Sequence, residues 1–250
     1  MEKSDAVKCS RRNFLRIAGS GAALLATSPL AAFAAGSPSA TPLKIATIGA
    51  GHIGGTLGSL WVKAGHPVMF SSRHPEELKG LVDSLGPLAH AGTVQDAVAF
   101  GDVVLLAVPY RTMPQIGKDY ARELATKVLV LDATNPIPAR DGEIATWARS
   151  KGAGLASAEL LPDARLVRAF NAINYAKLPE AAHRQGERTG MPMAGDDANA
   201  IAVASNLVRE IGFEPVVIGP LAMGKYLLPG TPLAGEHTPE QIRQIIATLK

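Results

Sequence analysis

The glycines at Gly49, Gly51 and Gly54 follow the spacing Gly-x-Gly-x-x-Gly, the pattern in this sequence best suited to holding a phosphate. In this spacing the first glycine permits a tight turn. The second lets the main chain approach a pyrophosphate, and the third lets a helix pack closely on a strand. The loop lies between an apolar strand, 43–48, and a helix beginning at Ile53, so it predicts a dinucleotide site at the helix N-terminus. A plain glycine-rich turn is the alternative.

The end of the second predicted strand indicates which dinucleotide would bind. NAD sites usually place Asp or Glu there to bind the ribose 2′-hydroxyl. This chain instead has Ser71, Ser72 and Arg73, and its first acid comes at Glu76. Hydroxyl and guanidinium groups suit a 2′-phosphate, so we predict NADP(H). The alternative is that Arg73 is an ordinary solvated arginine of a surface loop.

The rest of the sequence indicates the fold that would position these residues. Continuous apolar runs alternate with amphipathic stretches, which is typical of a parallel sheet covered by helices on both faces. We predict an α/β fold: one domain with a doubly wound, mostly parallel Rossmann sheet and a small C-terminal extension. Predicted strands are 43–48, 67–70, 102–108, 127–131, 164–170, 191–194 and 214–218, and predicted helices are 53–64, 75–85, 94–100, 112–124, 198–211 and 239–249.

No residue pattern predicts acid–base, nucleophilic or metal chemistry. The six histidines are scattered without metal-ligand spacing, and no Gly-x-Ser-x-Gly motif is present. None of the four tyrosines has a lysine four positions later, as short-chain dehydrogenases require. We therefore predict no catalytic side chain and no metal site.

The net charge of +3 lies entirely near the N-terminus. Residues 1–35 contain five basic and two acidic side chains, while residues 36–250 contain 20 of each. The equal numbers of basic and acidic side chains in residues 36–250 argue against a nucleic-acid partner. The one cysteine, Cys9, lies in the N-terminal segment, so residues 36–250 can form no disulfide.

The N-terminal segment has the features of an export signal. Ser10, Arg11, Arg12, Phe14 and Leu15 are in register with a bacterial twin-arginine signal, and a mildly apolar run follows. Small residues at 32–35 predict cleavage near Ala34-Ala35. We expect a signal peptide at 1–35, a linker at 36–42, a Rossmann domain with its substrate cleft at 43–250, and a periplasmic or extracytoplasmic protein without a membrane anchor after cleavage. An uncleaved anchor or a basic tail is the alternative.

Further motifs accompany the glycine loop and Ser71-Ser-Arg73. They are Lys63-Ala-Gly-His66, Ala107-Val-Pro109, Asp132-Ala-Thr-Asn-Pro136, Arg168-Ala-Phe-Asn171, Ala194-Gly-Asp-Asp197 and Ile211-Gly-Phe-Glu-Pro215. Together these motifs resemble the NADPH-dependent F420 reductase family, and the cytosolic reductase domains of eukaryotic metalloreductases are similar. The resemblance covers about residues 43–228, nearly the whole chain after the linker.

The resemblance implies a set of ligand-binding residues. Cofactor-binding residues would be Gly49, Gly51, His52, Ile53, Gly54, Ser71, Ser72, Arg73, Ala107, Val108, Pro109, Asn135 and Pro136. Residues bordering the second substrate would be Ala169, Phe170, Asn171 and Asn174. For Pro109, Pro136 and Asn171, turn chemistry alone is the alternative explanation.

The resemblance also implies hydride transfer between NADPH and a flavin-like or deazaflavin (F420) acceptor, with the protein supplying orientation and exclusion of water. The expected partners are a small-molecule redox acceptor and, during export, the twin-arginine translocase; a homodimer is left open. Alternatives are an exported NADP-binding module without turnover, an NADPH-dependent ferric or flavin reductase, and, less favoured, an imino-acid reductase. The last class has a substantial helical C-terminal domain, whereas this chain has one predicted helix after the last strand.

Overall fold

A single eight-stranded sheet carries the described part of the chain, residues 42–249 of the computed structural model. The predicted signal at 1–35 and nearly all of the linker lie outside the described residues. The strands are β1 (Ile45–Ile48), β2 (Val68–Ser71), β3 (Ala89–Gly92), β4 (Val103–Leu106), β5 (Leu129–Asp132), β6 (Leu166–Arg168), β7 (Gly190–Gly195) and β8 (Glu214–Gly219). They lie in the order β3-β2-β1-β4-β5-β6-β7-β8.

All strand pairs except one are parallel, so the predicted mostly parallel, doubly wound Rossmann sheet is confirmed. The exception is the antiparallel pair of β6 and β7. The strand order reverses direction between β1 and β4, and in open α/β sheets ligands bind at that point, outside the carboxyl ends of the strands. The loops after β1 and β4 therefore flank the expected crevice.

Ten α-helices accompany the sheet in the described residues. They are α1 (His52–Lys63), α2 (Lys79–Leu85), α3 (Val94–Phe100), α4 (Met113–Ala125), α5 (Pro138–Asp141), α6 (Glu143–Lys151), α7 (Ala153–Leu160), α8 (Leu178–Ala181), α9 (Ala198–Glu210) and α10 (Pro239–Thr248). Side-chain hydrogen bonds cap the N-termini of three of these helices. Thr93 and Thr238 form capping boxes at α3 and α10, and the carboxylate of Asp197 accepts the N–H of Ala200 at α9.

The core lies on both faces of the sheet. On one face, Leu57 and Trp61 of α1 pack with Leu207 of α9 and with Phe213. On the other, α3, α4 and α7 cover the alternate side chains of β1, β4 and β5. A smaller cluster, with Val216 of β8 and Ile242 of α10, forms the predicted C-terminal extension. Among residues 42–249 no helix has the length and apolarity needed to span a membrane.

The structure also contains elements that the sequence patterns did not predict. Strand β3 has the sequence Ala-His-Ala-Gly, which has low strand propensity and alternates little, so pairing with β2 decides its conformation. Helices α5 to α7 follow one another between 138 and 160, joined by Gly142 and Gly152 at positive φ. Helix α7 is mostly small residues, and its apolar periodicity is too weak to identify a buried face.

Candidate functional site

The three glycines of the loop after β1 have three different surroundings. Gly49 has a φ of +95°, and a Cβ atom there would lie 2.6 Å from the carbonyl oxygen of Ala107. At Gly54 a Cβ atom would lie 1.9 Å from the carbonyl oxygen of Gly49. At Gly51 a Cβ atom would meet no atom within 4 Å. Gly49 and Gly54 are thus required by the fold, whereas Gly51 faces open space.

That open space lies at the beginning of α1. Gly51 is the N-cap of α1, makes no side-chain capping bond, and no acidic residue occupies the first turn. The first N–H groups of a helix have no partner inside the helix, and together they favour an anion. This end of α1 therefore suits a pyrophosphate.

The residues predicted to recognise a 2′-phosphate follow β2 directly. The hydroxyl of Ser71 is buried and donates to the carbonyl oxygen of Thr47 at 2.8 Å, so it is engaged within the sheet. Ser72 is half-buried, and its hydroxyl accepts the N–H of His74 at 3.1 Å. Arg73 is exposed and makes no ion pair with any described residue. Arg73 and Ser72 are thus placed for the predicted phosphate, and Ser71 positions the strand end.

A cleft of about 740 Å³ opens beside the glycine loop, along the ends of β4, β5 and β6. Eight of the predicted residues line it: His52, Ile53, Ala107, Val108, Pro109, Asn135, Asn171 and Asn174. The structure therefore brings four loops, those after β1, β4, β5 and β6, into one site. Ala133, Ile137, Arg140, Ala172, Ile173, Tyr175, Pro229, Gly230, Ala234 and Gly235 complete the lining.

Three residues that the resemblance places beside the nicotinamide or the acceptor do not line the cleft. The structure corrects the expectation that Ala169 and Phe170 border the second substrate, because both are buried in the core. Phe170 has a φ of +65°, and its ring meets those of Trp61 and Phe213 edge to face. Pro136 is also buried and is not part of the cleft wall.

A buried ion pair supports the loop that carries Asn135. Arg168 of β6 donates to the carboxylate of Asp132 at the end of β5, and both side chains are fully buried. Arg168 also donates to the carbonyl oxygen of Thr134 at 2.9 Å, and Thr134 donates its N–H to Asp132 at 2.8 Å. The side chain of Asn171 donates to the same Thr134 oxygen at 2.9 Å. The loops after β5 and β6 are therefore held together by hydrogen bonds below the cleft.

The segment 229–235 closes the cleft from the C-terminal side. The N–H of Gly235 donates to the carbonyl oxygen of Ala172 at 2.9 Å, which ties this segment to the loop after β6. Sequence reasoning missed this wall because the segment lies outside the predicted elements. The Pro229-Gly230 pair, with Gly230 at a φ of +85°, is the one local signal of an ordered turn there.

Arg140 is a second cleft residue that sequence reasoning missed. Its guanidinium donates to both carboxylate oxygens of Asp141, at 3.0 and 2.8 Å, and to the carbonyl oxygen of Asn135 at 2.7 Å. The carboxylate of Asp141 is fully buried. Burial raises the pKa of Asp141, but the hydrogen bonds from Arg140 and from the N–H groups of Ile137 and Arg111 outweigh it, so the pKa lies below its usual value.

The charges of the cleft wall limit its chemistry. His52, Arg140 and Tyr175 are its ionisable side chains, and no carboxylate lines it among the described residues. Residues 42–249 also contain no group of three His, Cys, Asp or Glu side chains that could hold a metal ion. The wall offers imidazole, guanidinium, phenol and amide groups as hydrogen-bonding partners for a ligand.

Comparisons with known proteins agree with this geometry. Residues 44–136 match a family described as "NADP oxidoreductase coenzyme F420-dependent". The matched stretch contains the glycine loop, the end of β2, the Val-Pro loop after β4 and Asn135. The match and the glycine loop together indicate an NAD(P)-binding oxidoreductase domain.

Individual relatives are similar over most of this chain. Metalloreductase STEAP3 of Rattus norvegicus is 31% identical over 182 residues, which are 73% of this chain and 35% of the rat protein. This chain thus spans about a third of that protein's length. A hypothetical protein, SMa0349 of Sinorhizobium meliloti, is 28% identical with a TM-score of 0.61, and the alignment covers 79% of this chain and 95% of that one.

Other solved structures share the fold at lower identity. A protein of Arthrobacter sp. fb24 proposed to be an F420-dependent NADP-reductase has a TM-score of 0.64 at 22% identity, covering 73% of this chain and 87% of that one. The imine reductase of Myxococcus stipitatus in complex with NADP+ has a TM-score of 0.53 at 22% identity, covering 74% and 58%. At these identities the likeness concerns the fold alone.

Proposed function

We propose that this protein is an NADP(H)-dependent oxidoreductase that transfers a hydride between NADPH and a flavin-like or deazaflavin (F420) acceptor. The observation that carries the proposal is the open space at Gly51, next to a cleft lined by loops from β1, β4, β5 and β6. Backbone N–H groups at the start of α1 would hold the pyrophosphate. The cleft would hold the nicotinamide and the acceptor ring.

The preference for NADP(H) over NAD(H) rests on Arg73. It is exposed just beyond β2, without an ion-pair partner among the described residues, and no acid follows the strand before Glu76. A guanidinium can donate two parallel hydrogen bonds to a phosphate and gains nothing comparable from a ribose hydroxyl. The hydroxyl of Ser72 lies beside it.

The cofactor supplies the hydride, and the protein positions the two rings. The balanced reaction converts NADPH, the oxidised acceptor and one proton into NADP+ and the reduced acceptor. Val108, Pro109 and Asn135 would orient the nicotinamide side, and Asn171 and Asn174 would face the acceptor. In this reaction the protein would contribute orientation of the two rings and exclusion of water.

A ferric or flavin reductase is the second candidate, and the similarity to a metalloreductase over 73% of this chain favours it. A binding module without turnover is the third. Purified protein would be mixed with NADPH and with F420, FMN, FAD or a ferric chelate, while the near-ultraviolet absorbance of NADPH is followed. Tight NADPH binding without oxidation by any acceptor would favour the third candidate, a binding module without turnover.

We also propose that the twin-arginine segment exports the folded protein to the periplasm. The register of Ser10, Arg11, Arg12, Phe14 and Leu15 supports this, as does the confinement of the net charge to residues 1–35. The twin-arginine route carries folded proteins, so NADP(H) could leave the cytoplasm already bound. Replacement of Arg11 and Arg12 by Lys should retain the protein in the cytoplasm, and fractionation with mass spectrometry would show both location and leader cleavage.

A further inference from the structure

The side chain of Arg140 is the strongest feature of the cleft that the proposed function leaves without a role. Arg140 is the one Lys or Arg in the cleft wall, and no carboxylate lines that wall among the described residues. Its side chain is 39% exposed, so it is accessible from the cleft while its neighbour Asp141 is fully buried.

The structure holds this guanidinium in a fixed position. Nε donates to Oδ1 of Asp141 at 3.0 Å, and Nη2 donates to Oδ2 of Asp141 at 2.8 Å and to the carbonyl oxygen of Asn135 at 2.7 Å. Nη1 makes no hydrogen bond to any described residue, so two N–H donors remain available. A side chain that is already ordered loses little conformational entropy when a ligand binds.

The charged side chains around Arg140 carry a net positive charge. Arg111 donates to the carbonyl oxygen of Arg140 at 2.9 Å, and its guanidinium lies 3.7 Å from Asp141. Two guanidiniums thus share one buried carboxylate, whose lowered pKa keeps it ionised at neutral pH. The cluster of Arg111, Arg140 and Asp141 carries one net positive charge beside an apolar cleft, which favours an anion.

The position in the sheet separates this charge from the predicted phosphates of the dinucleotide. Arg73 follows β2, and the glycine loop follows β1, on one side of the point where strand order reverses. Arg140 follows β5 and contacts Asn135, on the other side. The pyrophosphate and the 2′-phosphate therefore have their own groups elsewhere.

We infer that Arg140 binds an anionic group, a phosphate or a carboxylate, on the acceptor molecule, and so selects anionic acceptors over neutral ones. This inference rests on the proposed function, since it assigns the same cleft to an acceptor. It predicts that two acceptors with the same ring and different side-chain charge will differ in turnover.

Pairs of flavins that share a ring and differ in side-chain charge test the inference in the mature protein. FMN and riboflavin share one ring and differ by a phosphate at the end of the ribityl chain. Carboxymethylflavin and lumiflavin share the same ring and differ by a carboxylate, because N10 carries a carboxymethyl group in the first and a methyl group in the second. We expect kcat/KM with FMN to exceed that with riboflavin by about tenfold or more, the value of a charged hydrogen bond. The ratio for FMN over riboflavin tests a phosphate, and the ratio for carboxymethylflavin over lumiflavin tests a carboxylate.

The Arg140→Gln variant should abolish this preference. We expect its FMN to riboflavin ratio of kcat/KM to fall to near one, because the substitution removes the contact that only FMN makes with the guanidinium. The Arg140→Gln/Asp141→Asn double variant removes the unpaired buried carboxylate, so the test survives if the single variant fails to fold. Arg122→Gln is the matched control, because Arg122 is an exposed arginine in the last turn of α4, away from the cleft wall.

Each result separates the inference from the proposed function. Equal turnover of FMN and riboflavin by the wild type, or an unchanged ratio in Arg140→Gln, overturns the inference and leaves the reductase in place. If neither F420 nor any flavin oxidises NADPH, the proposed function fails; flavin fluorescence titration then still tests whether Arg140 favours FMN over riboflavin in binding.

Discussion

The imidazole ring of His52 lies flat on the ring of Tyr175, with centroids 4.5 Å apart and planes inclined by 11°. His52 is the first residue of α1, within the glycine loop, and Tyr175 belongs to the loop after β6. Both line the cleft. The stack therefore joins the predicted cofactor loop to the acceptor side of the site, across a separation of 123 residues in the sequence.

Loss of this stack should weaken NADPH binding. In Tyr175→Ala the ring of His52 loses its partner, and we expect a loss of about 0.5–1.5 kcal/mol in NADPH binding, the usual value of an aromatic pair. Tyr175→Phe keeps the ring and should bind like the wild type. Fluorescence titration with NADPH measures both. A Phe variant as weak as the Ala variant would assign the effect to the hydroxyl.

Two glycine substitutions should separate folding from cofactor binding. Gly54→Ala places a Cβ atom within 1.9 Å of a carbonyl oxygen, so it should lower the thermal unfolding midpoint and abolish NADPH binding. Gly51→Ala meets no protein atom within 4 Å but replaces a favoured N-cap residue, so its unfolding free energy should fall by about 1 kcal/mol or less while NADPH binding weakens strongly. Calorimetry and titration of both variants give the comparison. Unimpaired NADPH binding by Gly51→Ala would remove the pyrophosphate from this loop.

Arg73→Ala tests the choice of dinucleotide. We expect NADPH binding to weaken by about 1.5–3 kcal/mol, the value of a charged hydrogen bond, with NADH binding unchanged because NADH lacks the 2′-phosphate. Arg122→Ala, at an exposed position of α4, is the control for loss of one positive charge. Equal losses for both dinucleotides would show that Arg73 does not read the 2′-phosphate.

The ion pair of Arg168 and Asp132 should dominate the stability of the site. Arg168→Met leaves the carboxylate of Asp132 buried and unpaired, so we expect a loss of about 3–5 kcal/mol in the free energy of unfolding. Arg165→Met removes an exposed arginine whose guanidinium lies 4.0 Å from Asp197, and should cost about 1 kcal/mol or less. Urea unfolding distinguishes the two. Similar small losses would show that Asp132 gains another partner or protonates at little cost.

Asp141 should make stability depend on pH in the acid range. Its pKa is lower in the folded protein than in the unfolded chain, so its ionised form stabilises the fold at neutral pH. That contribution is complete above the unfolded pKa of about 4 and is lost as the pH falls through the folded value. The difference in unfolding free energy between wild type and Asp141→Asn should therefore be largest at neutral pH and shrink in acid. A difference that is constant with pH would contradict this role.

The sequence predicted most of the sheet because its strands are continuous apolar runs, such as Val103–Leu106 and Leu129–Asp132. It also predicted the glycine loop, since glycine spacing and flanking elements are local signals. It missed β3 and α7, whose small residues carry little periodicity, and their conformations depend on pairing with β2 and packing against α4. Phe170 shows the same limit. The predicted strand 164–170 included it, but β6 ends at Arg168, and the left-handed backbone at Phe170 turns its ring toward Trp61.

Local chemistry thus identifies the glycine turn, the Ser-Arg pair after β2 and the alternation of strands and helices, because each depends on residues within a few positions of one another. The cleft wall, the buried pair of Arg168 and Asp132 and the stack of His52 on Tyr175 depend on residues separated by 36 to 123 positions. Their side chains meet because parallel strands bring their carboxyl ends to one edge of the sheet. Packing on both faces then sets which side chains point into the cleft and which, like Phe170, into the core.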